Sequence, residues 1–266
     1  MDILIQILLY LMIFFVGASL GSFSLVIVRR GHNDDWKSWL TGQSYCETCK
    51  KTLKWWELIP TISYLCLGGK CSKCKTKIDP SHFLCETFAG IMYAALFAIY
   101  NLGYLELPQF IFMLVVNSFM IALSASDFLY REINVIPVYV LGAIGCAYNA
   151  IFNQSYWNIL ITVILFIGLG WLFSKDNFVL FGGGDVDVVI AIYALLGSSV
   201  LGSLFGVVDV IMYASLAGIV MFFTLYRKSD SNIPFVPCLY FGYFIASFDI
   251  SVSRAIFDLC QKLFQL

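Results

Sequence analysis

Long apolar segments constrain this chain more than any other feature of its sequence. A membrane-spanning helix needs about 20 mostly apolar residues, and eight segments approach or exceed that length. They cover residues 4–28, 83–101, 108–126, 133–152, 157–174, 186–204, 207–226 and 234–250. The 266 residues are 60% hydrophobic and 12% charged, whereas a soluble domain carries about 25% charged residues. We therefore predict an all-α polytopic membrane protein with about eight transmembrane helices, for which the lipid bilayer is the main partner.

One long polar segment, residues 29–82, separates the first two predicted helices. The sequence thus divides into a first transmembrane helix at 1–28, a loop domain at 29–82, a helical core at 83–250 and a mostly polar tail at 251–266. The first helix has no basic segment before it and no small-residue cleavage site, so we expect it to be retained rather than removed as a signal peptide.

The distribution of Lys and Arg predicts the orientation in the membrane, because basic residues are concentrated on the cytoplasmic side. The segment 29–82 holds ten of the sixteen Lys and Arg residues. If this segment is cytoplasmic, successive connections between helices alternate between the two sides of the membrane. Four more Lys and Arg residues then lie inside, and only Arg254 and Lys262 lie outside. We expect a cytoplasmic loop domain and both termini on the outer side. The net charge of −1 is uninformative about partners, and we expect no nucleic acid among them.

Four cysteines in the polar segment have the spacing of a metal site. They form two Cys-x-x-Cys pairs, Cys46 with Cys49 and Cys71 with Cys74. Four thiolates suit a tetrahedral, structural zinc ion, and a cytoplasmic loop disfavours disulfides. The alternatives are two unrelated surface pairs or a redox pair. The remaining cysteines lie mostly in apolar context and are predicted to be small buried residues; they are Cys66, Cys85, Cys146, Cys238 and Cys260.

Two aspartates fall at the cytoplasmic ends of predicted helices. Asp127 lies where the third helix ends, and Asp185 lies where the sixth begins. Both should therefore lie at one depth on one membrane face. Two neighbouring carboxylates share a proton, so one can activate water while the other polarises a carbonyl. The sequence favours an aspartyl peptidase. Each aspartate could instead be an interfacial charge, and Asp185 could be a helix N-cap.

Several residues near these aspartates are further candidates. Gly182, Gly183 and Gly184 would let backbone approach a substrate or a partner helix closely. Glu86 lies one turn into the second helix and is either a site residue or a helix-terminus charge. Asp187 should point to another face of its helix, while Asp209 and Asp249 are predicted to be interfacial.

These motifs together resemble the type IV prepilin peptidases of the GxGD aspartyl protease class. The resemblance rests on the first-helix segment 17–23 with Arg29 and Arg30, the four cysteines, and the loop segments 56–60, 63–65 and 69–71. It continues through Ile78, Phe83, Glu86, Asp127, the segment 182–185 and the segment 233–237.

This resemblance implies a function in the bacterial inner membrane. The catalytic pair would be Asp127 and Asp185, and the substrates would be prepilins or pseudopilins with a short basic leader, cut at the cytoplasmic face. Many members also methylate the new N-terminus with S-adenosylmethionine, which would be a second ligand besides zinc.

Two other classes of protein remain as alternatives. A proton- or cation-coupled transporter would use Asp127, Asp185 and Glu86 as a relay. A membrane scaffold would use the cysteine loop to bind partners. Replacing either aspartate by asparagine distinguishes the transporter and the scaffold from a peptidase, because only a peptidase would lose leader removal.

Overall fold

The computed structural model of the protein describes residues 3–32, 42–173, 183–197, 200–226 and 233–248. Within these ranges the regular structure is helical, apart from two isolated β-bridges. The helices are α1 (Ile3–His32), α2 (Ile62–Cys66), α3 (Pro80–Asn101), α4 (Leu107–Tyr130), α5 (Val135–Tyr148), α6 (Tyr156–Phe173), α7 (Gly183–Leu195), α8 (Val200–Met221) and α9 (Val236–Ala246). Asn149–Asn153 and Phe222–Tyr226 form π-helical turns, and Trp55–Glu57 forms a 3-10 turn. The predicted tail, Gly182 and Asp249 lie outside the described residues.

Each of the eight predicted apolar helices corresponds to a helix of the described chain. Five are long and apolar enough to cross a membrane: Ile3–His32, Pro80–Asn101, Leu107–Tyr130, Val135–Asn153 and Gly202–Thr224. Helices α7 and α9 are shorter, at 13 and 11 residues. The all-helical membrane fold class is confirmed.

One predicted boundary is wrong. The sixth and seventh predicted helices were separated at 204–207, but α7 ends at Leu195 and α8 begins at Val200. The chain turns near Gly197, where a Cβ atom would lie 2.5 Å from Nδ2 of Asn158. A Cβ atom there would require the Asn158 side chain of α6 to move, so glycine allows the close contact that is present.

By internal contacts the chain forms two compact units, Met1–Ala125 and Ser126–Leu266. In the first unit, α1 packs along α3. Gly17 and Gly21 lie one turn apart on α1, and a Cβ atom at either would come within 2.6 Å of side-chain atoms of Tyr93 or Ala89 on α3. Small residues at this spacing let two membrane helices approach closely, which gives the first-helix motif a packing role.

In the second unit, α5 packs on α7, and α8 packs on α9. A Cβ atom at Gly145 of α5 would lie 2.9 Å from the carbonyl of Ala194 on α7. At Gly242 of α9 it would meet the carbonyl oxygen of Val210 on α8. Glycines therefore fix both helix pairs at short distance, since van der Waals packing is a main source of helix association in lipid.

Candidate active site and metal centre

Asp127 lies in the last turn of α4 and is almost fully buried, with 7% of its surface exposed. Its Oδ2 accepts a hydrogen bond of 2.9 Å from the backbone N–H of Val236, the first residue of α9. The backbone of Phe235 and the charge of Arg131 also act on this carboxylate. Free N–H groups at a helix N-terminus stabilise negative charge, so α9 holds the Asp127 carboxylate in place.

The chain reverses direction directly after Asp127. Arg131 adopts a left-handed backbone conformation with φ 58°, and its N–H donates to the carbonyl of Asp127 at 3.0 Å. The Ser126 hydroxyl donates to the carbonyl of Glu132 at 2.7 Å. The side chain of Asn134 then caps α5 by accepting from the N–H of Ile136 at 3.0 Å. This turn is therefore well defined by its own hydrogen bonds.

Asp185 lies in the first turn of α7 and is half-buried. The preceding residue, Gly184, lies against Ile133 of the turn after α4, where a Cβ atom would come 3.1 Å from Cβ and Cδ1 of Ile133. Glycine at this position therefore lets α7 approach that turn. The charge of Asp127 acts on Asp185. The two aspartates thus lie 58 positions apart in the sequence but within electrostatic range of each other in the second unit.

The other predicted acidic residues have different surroundings. Asp187 is half-buried on α7. Asp209 is 1% exposed within α8, so its predicted interfacial position is wrong. The prediction placed Asp209 at a helix end, whereas α8 begins nine positions earlier, at Val200.

Glu86 belongs to the first unit and is buried in α3. It accepts hydrogen bonds of 2.7 Å from the Ser22 hydroxyl of α1 and from the backbone N–H of Thr61. Thr61 is the central residue of a tight turn, with φ 62° and ψ −49°, in which the N–H of Ile62 donates to the carbonyl of Pro60. Glu86 therefore joins α1, α3 and the loop domain. These contacts explain its burial without a catalytic role.

The four predicted cysteine ligands come together in the first unit. Their sulfur atoms all lie within 4.8 Å of one another, with Cys46 to Cys74 at 3.8 Å and Cys49 to Cys71 at 3.9 Å. Zinc–sulfur bonds of about 2.3 Å in a tetrahedron require sulfur atoms about 3.8 Å apart. The donor set and spacing therefore fit zinc.

The two cysteine pairs have the same backbone turn. In the first, the N–H of Cys46 donates to the carbonyl of Lys51; in the second, the N–H of Cys71 donates to the carbonyl of Thr76, both at 2.9 Å. Lys50 and Lys75 occupy equivalent left-handed positions, with φ 54° and 60°. Hydrogen bonding to Thr76 lowers the pKa of Cys74 to about 6, whereas burial and the neighbouring thiols raise the pKa of Cys49 to about 11, so the four thiols differ in how readily they ionise.

Glu57 connects these two turns and was not singled out from the sequence. Its carboxylate is buried and accepts hydrogen bonds from Lys51 Nζ at 2.8 and 3.0 Å, from the Lys54 N–H at 2.9 Å and from the Ser72 hydroxyl. The hydrogen bond from Lys51 is the largest cause that lowers the pKa of Glu57 to about 2. In the sequence, Glu57 is part of the segment 56–60, which resembles the family loop. That resemblance does not reveal a role for Glu57 alone.

Among the remaining cysteines, Cys238 is buried, while Cys85 and Cys146 are half-buried. Cys66 is exposed, so its predicted burial is wrong. It lies at the end of α2, a five-residue helix that leaves this position uncovered. Cys260 lies outside the described residues.

These features define a class: an all-helical membrane protein with a four-cysteine loop and a pair of acidic side chains at helix ends. Comparison with known proteins identifies similar chains. Residues 15–100 match the Bacterial Peptidase A24 N-terminal domain. The prepilin leader peptidase/N-methyltransferase of Neisseria gonorrhoeae is 28% identical, over 80% of this chain and 73% of that protein. The protein of the same name from Vibrio cholerae is 26% identical, over 77% of this chain and 84% of its own length.

A third relative is the type 4 prepilin-like proteins leader peptide-processing enzyme of Escherichia coli, which is 26% identical over 75% of this chain and 73% of its own length. No solved structure matches the chain. The chain is thus similar to prepilin leader peptidases over three quarters or more of its length, in agreement with the resemblance of its motifs.

Proposed function

We propose that this protein is a membrane aspartyl endopeptidase that removes the basic leader from type IV prepilins or pseudopilins. The observation that carries this proposal is the pairing of Asp127 and Asp185. The end of α4 and the beginning of α7 supply one carboxylate each, and the contact between Gly184 and Ile133 keeps these ends together. Relatives named for leader peptide processing support the substrate class.

The reaction needs only the two carboxylates and water. With one proton shared by the pair, the ionised member takes a proton from water as the water oxygen attacks the scissile carbonyl carbon. The protonated member donates a hydrogen bond to the carbonyl oxygen. When the carbon–nitrogen bond breaks, the pair returns a proton to the leaving amine. The N–H groups of Phe235 and Val236 favour negative charge on Asp127, so we assign the activation of water to Asp127.

We further propose that the enzyme acts at the cytoplasmic membrane surface of a bacterial cell. Ten of the sixteen Lys and Arg residues lie in 29–82, which supports a cytoplasmic loop domain. Asp127 and Asp185 would then lie at the cytoplasmic ends of α4 and α7.

A second activity, N-methylation of the new N-terminus, is also part of this proposal, because relatives carry N-methyltransferase in their names. When bound, S-adenosylmethionine supplies a methyl group on a sulfonium sulfur. The first unit has a cavity of about 350 Å³, lined by side chains that include Arg29, Tyr64, His82 and Glu86. Its volume is in the range of ligand pockets. Its lining includes one cationic side chain, Arg29, and one anionic side chain, Glu86.

Cleavage of a purified prepilin by the purified enzyme tests the proposal. We expect Asp127→Asn and Asp185→Asn each to reduce the cleavage rate at least about 100-fold, because each removes one member of an acid–base pair. Asp187→Asn is the matched control: it removes a half-buried carboxylate from α7, two residues after Asp185, and should cleave normally. Mass spectrometry of the product reports methylation in the same assay.

Cleavage by either Asn variant at the rate of the Asp187→Asn control would refute the acid–base pair. An unmethylated product in the presence of S-adenosylmethionine would refute only the second activity. A transporter that uses the same aspartates would cleave no leader in any variant.

A further inference from the structure

The loop domain exposes a group of large apolar side chains. Trp55 is 73% exposed and Leu65 is 64% exposed, and three neighbours are also exposed. We name this group the Trp–Leu edge; it consists of Trp55, Trp56, Leu58, Ile62 and Leu65. The 3-10 turn that carries the tryptophans contacts α2, which carries Ile62 and Leu65. Exposed apolar groups of this size mark an interaction surface.

Two contacts place this edge beside a membrane helix. The ring of Tyr64 in α2 stacks on Phe83 of α3 with centroids 5.1 Å apart. The N–H of Thr61 donates to Oε2 of Glu86, one turn further into α3, at 2.7 Å. Helix α3 is one of the five described helices that are long and apolar enough to span a bilayer. The loop domain therefore lies against the first two turns of α3.

Helix α3 itself exposes an apolar face. Leu84, Phe88 and Ile91 of this helix are all exposed and follow the spacing of one helical face. On a membrane-spanning helix such a face contacts lipid. Because Tyr64 and Thr61 contact the first two turns of α3, Ile62 and Leu65 in the same short helix lie beside one end of a membrane-spanning helix.

The charges around this edge suit lipid headgroups. Residues 42–79 contain seven lysines and three acidic residues. Lys54 Nζ lies 4.7 Å from the ring centroid of Trp56, and Lys50 Nζ lies 4.9 Å from that of Tyr45. Tryptophan and tyrosine are enriched at membrane interfaces, and lysine nearby attracts anionic lipid.

From these observations we propose that the Trp–Leu edge inserts into the interfacial layer of the bilayer, with the neighbouring lysines at anionic headgroups. The occupant of this surface is lipid rather than another protein. The loop domain is then held against the membrane by its own side chains as well as by α1 and α3. This inference does not depend on the proposed peptidase activity.

Tryptophan fluorescence of the full-length protein tests the inference. The protein is reconstituted into nanodiscs of phosphatidylethanolamine and phosphatidylglycerol, with either ordinary or brominated acyl chains. The emission of Trp55 and Trp56 is obtained by subtracting the Trp55→Phe/Trp56→Phe variant from the wild type. We expect brominated lipid to remove most of this difference emission, and aqueous iodide to have little effect. The Trp157→Phe variant is a reference for a tryptophan at a helix end, since Trp157 is exposed in the first turn of α6.

Two results would overturn the inference. Quenching of the difference emission by iodide but not by brominated lipid would show that the edge faces water. Quenching by neither would show that protein covers it, as in an assembly of two copies. If the double variant does not fold, the single variants Trp55→Phe and Trp56→Phe supply the same difference. As an independent reporter, Leu65→Trp should add emission that brominated lipid quenches.

Discussion

The four cysteines and Glu57 are the residues that hold the loop domain together. The cysteines approach one another from two equivalent turns, and Glu57 bonds to Lys51 beside the first turn and to Ser72 in the second. A metal ion bound at the cluster would therefore connect the same two turns that the buried Glu57 carboxylate connects. Binding of zinc by such sites contributes directly to folding, so the residues should matter for structure rather than for chemistry.

Zinc content is the first prediction at the residue scale. The purified wild-type protein should contain about one zinc ion for each chain, because the four sulfur positions match one tetrahedral ion. The variant Cys46→Ser/Cys49→Ser should lose this zinc, since it removes two of the four ligands. Cys66→Ser is the matched control, because Cys66 is exposed and lies outside the cluster. Metal analysis that finds zinc unchanged in the double variant would contradict the site.

Sequence spacing located the residues with distinctive chemistry but not the groups that hold them in place by hydrogen bonds. The two Cys-x-x-Cys pairs and the aspartates are recognisable because few residue types bind metal or transfer protons. The N–H of Val236 that holds Asp127 has no such signature, since every residue except proline carries one. Glu57 was missed because a single glutamate in a basic loop does not reveal which lysine it contacts.

Glycine contacts determine how closely the helices of the second unit approach. The carbonyl carbon of Ala194 lies only 2.9 Å from the position of a Cβ atom at Gly145. Because the obstacle is backbone, a rotamer change cannot relieve it. Helix α7 carries Asp185 at its other end, so a displacement of α7 from α5 would also alter the candidate active site.

We therefore predict that Gly145→Ala destabilises the protein by about 1–3 kcal/mol, the usual cost of overpacking, and slows prepilin cleavage. Thermal unfolding in detergent and the cleavage assay measure the two effects. Gly168→Ala is the matched control, because a Cβ atom there has no neighbour within 4 Å. Equal unfolding temperatures for the two variants would show that α5 and α7 are not held at the distance described.

The misplaced boundary between α7 and α8 shows what hydropathy cannot resolve. Residues 188–205 form a nearly continuous apolar run with no charge and no proline, so composition alone did not reveal the turn at Gly197. At this point Gly197 lies close to the Asn158 side chain of α6, a contact between helices that hydropathy does not report. The error also moved Asp209 from its buried position in α8 to a predicted helix end.

The distribution of charge governs how the whole molecule lies in the membrane. Fourteen of the sixteen Lys and Arg residues fall on one side if the helices alternate as predicted. Several of these residues, including Lys175 and Arg227, lie outside the described part of the chain, so the argument rests on sequence. A bias of this size favours one orientation, because translocation of short basic loops is disfavoured.

Reporter fusions test this orientation along the whole chain. Alkaline phosphatase should be active when fused after Leu105 or Gln154, which follow α3 and the π-turn after α5. Green fluorescent protein should fluoresce when fused after Lys77 or Glu132, because these positions precede α3 and follow α4. Phosphatase folds only outside the cytoplasm, and the fluorescent protein is expected to fluoresce only inside it. When both reporters are fused at one position, only one of them should be active, so each position is its own control. Fluorescence at Leu105 together with phosphatase activity at Glu132 would reverse the orientation and move Asp127 to the outer face, where a cytoplasmic leader could not reach it.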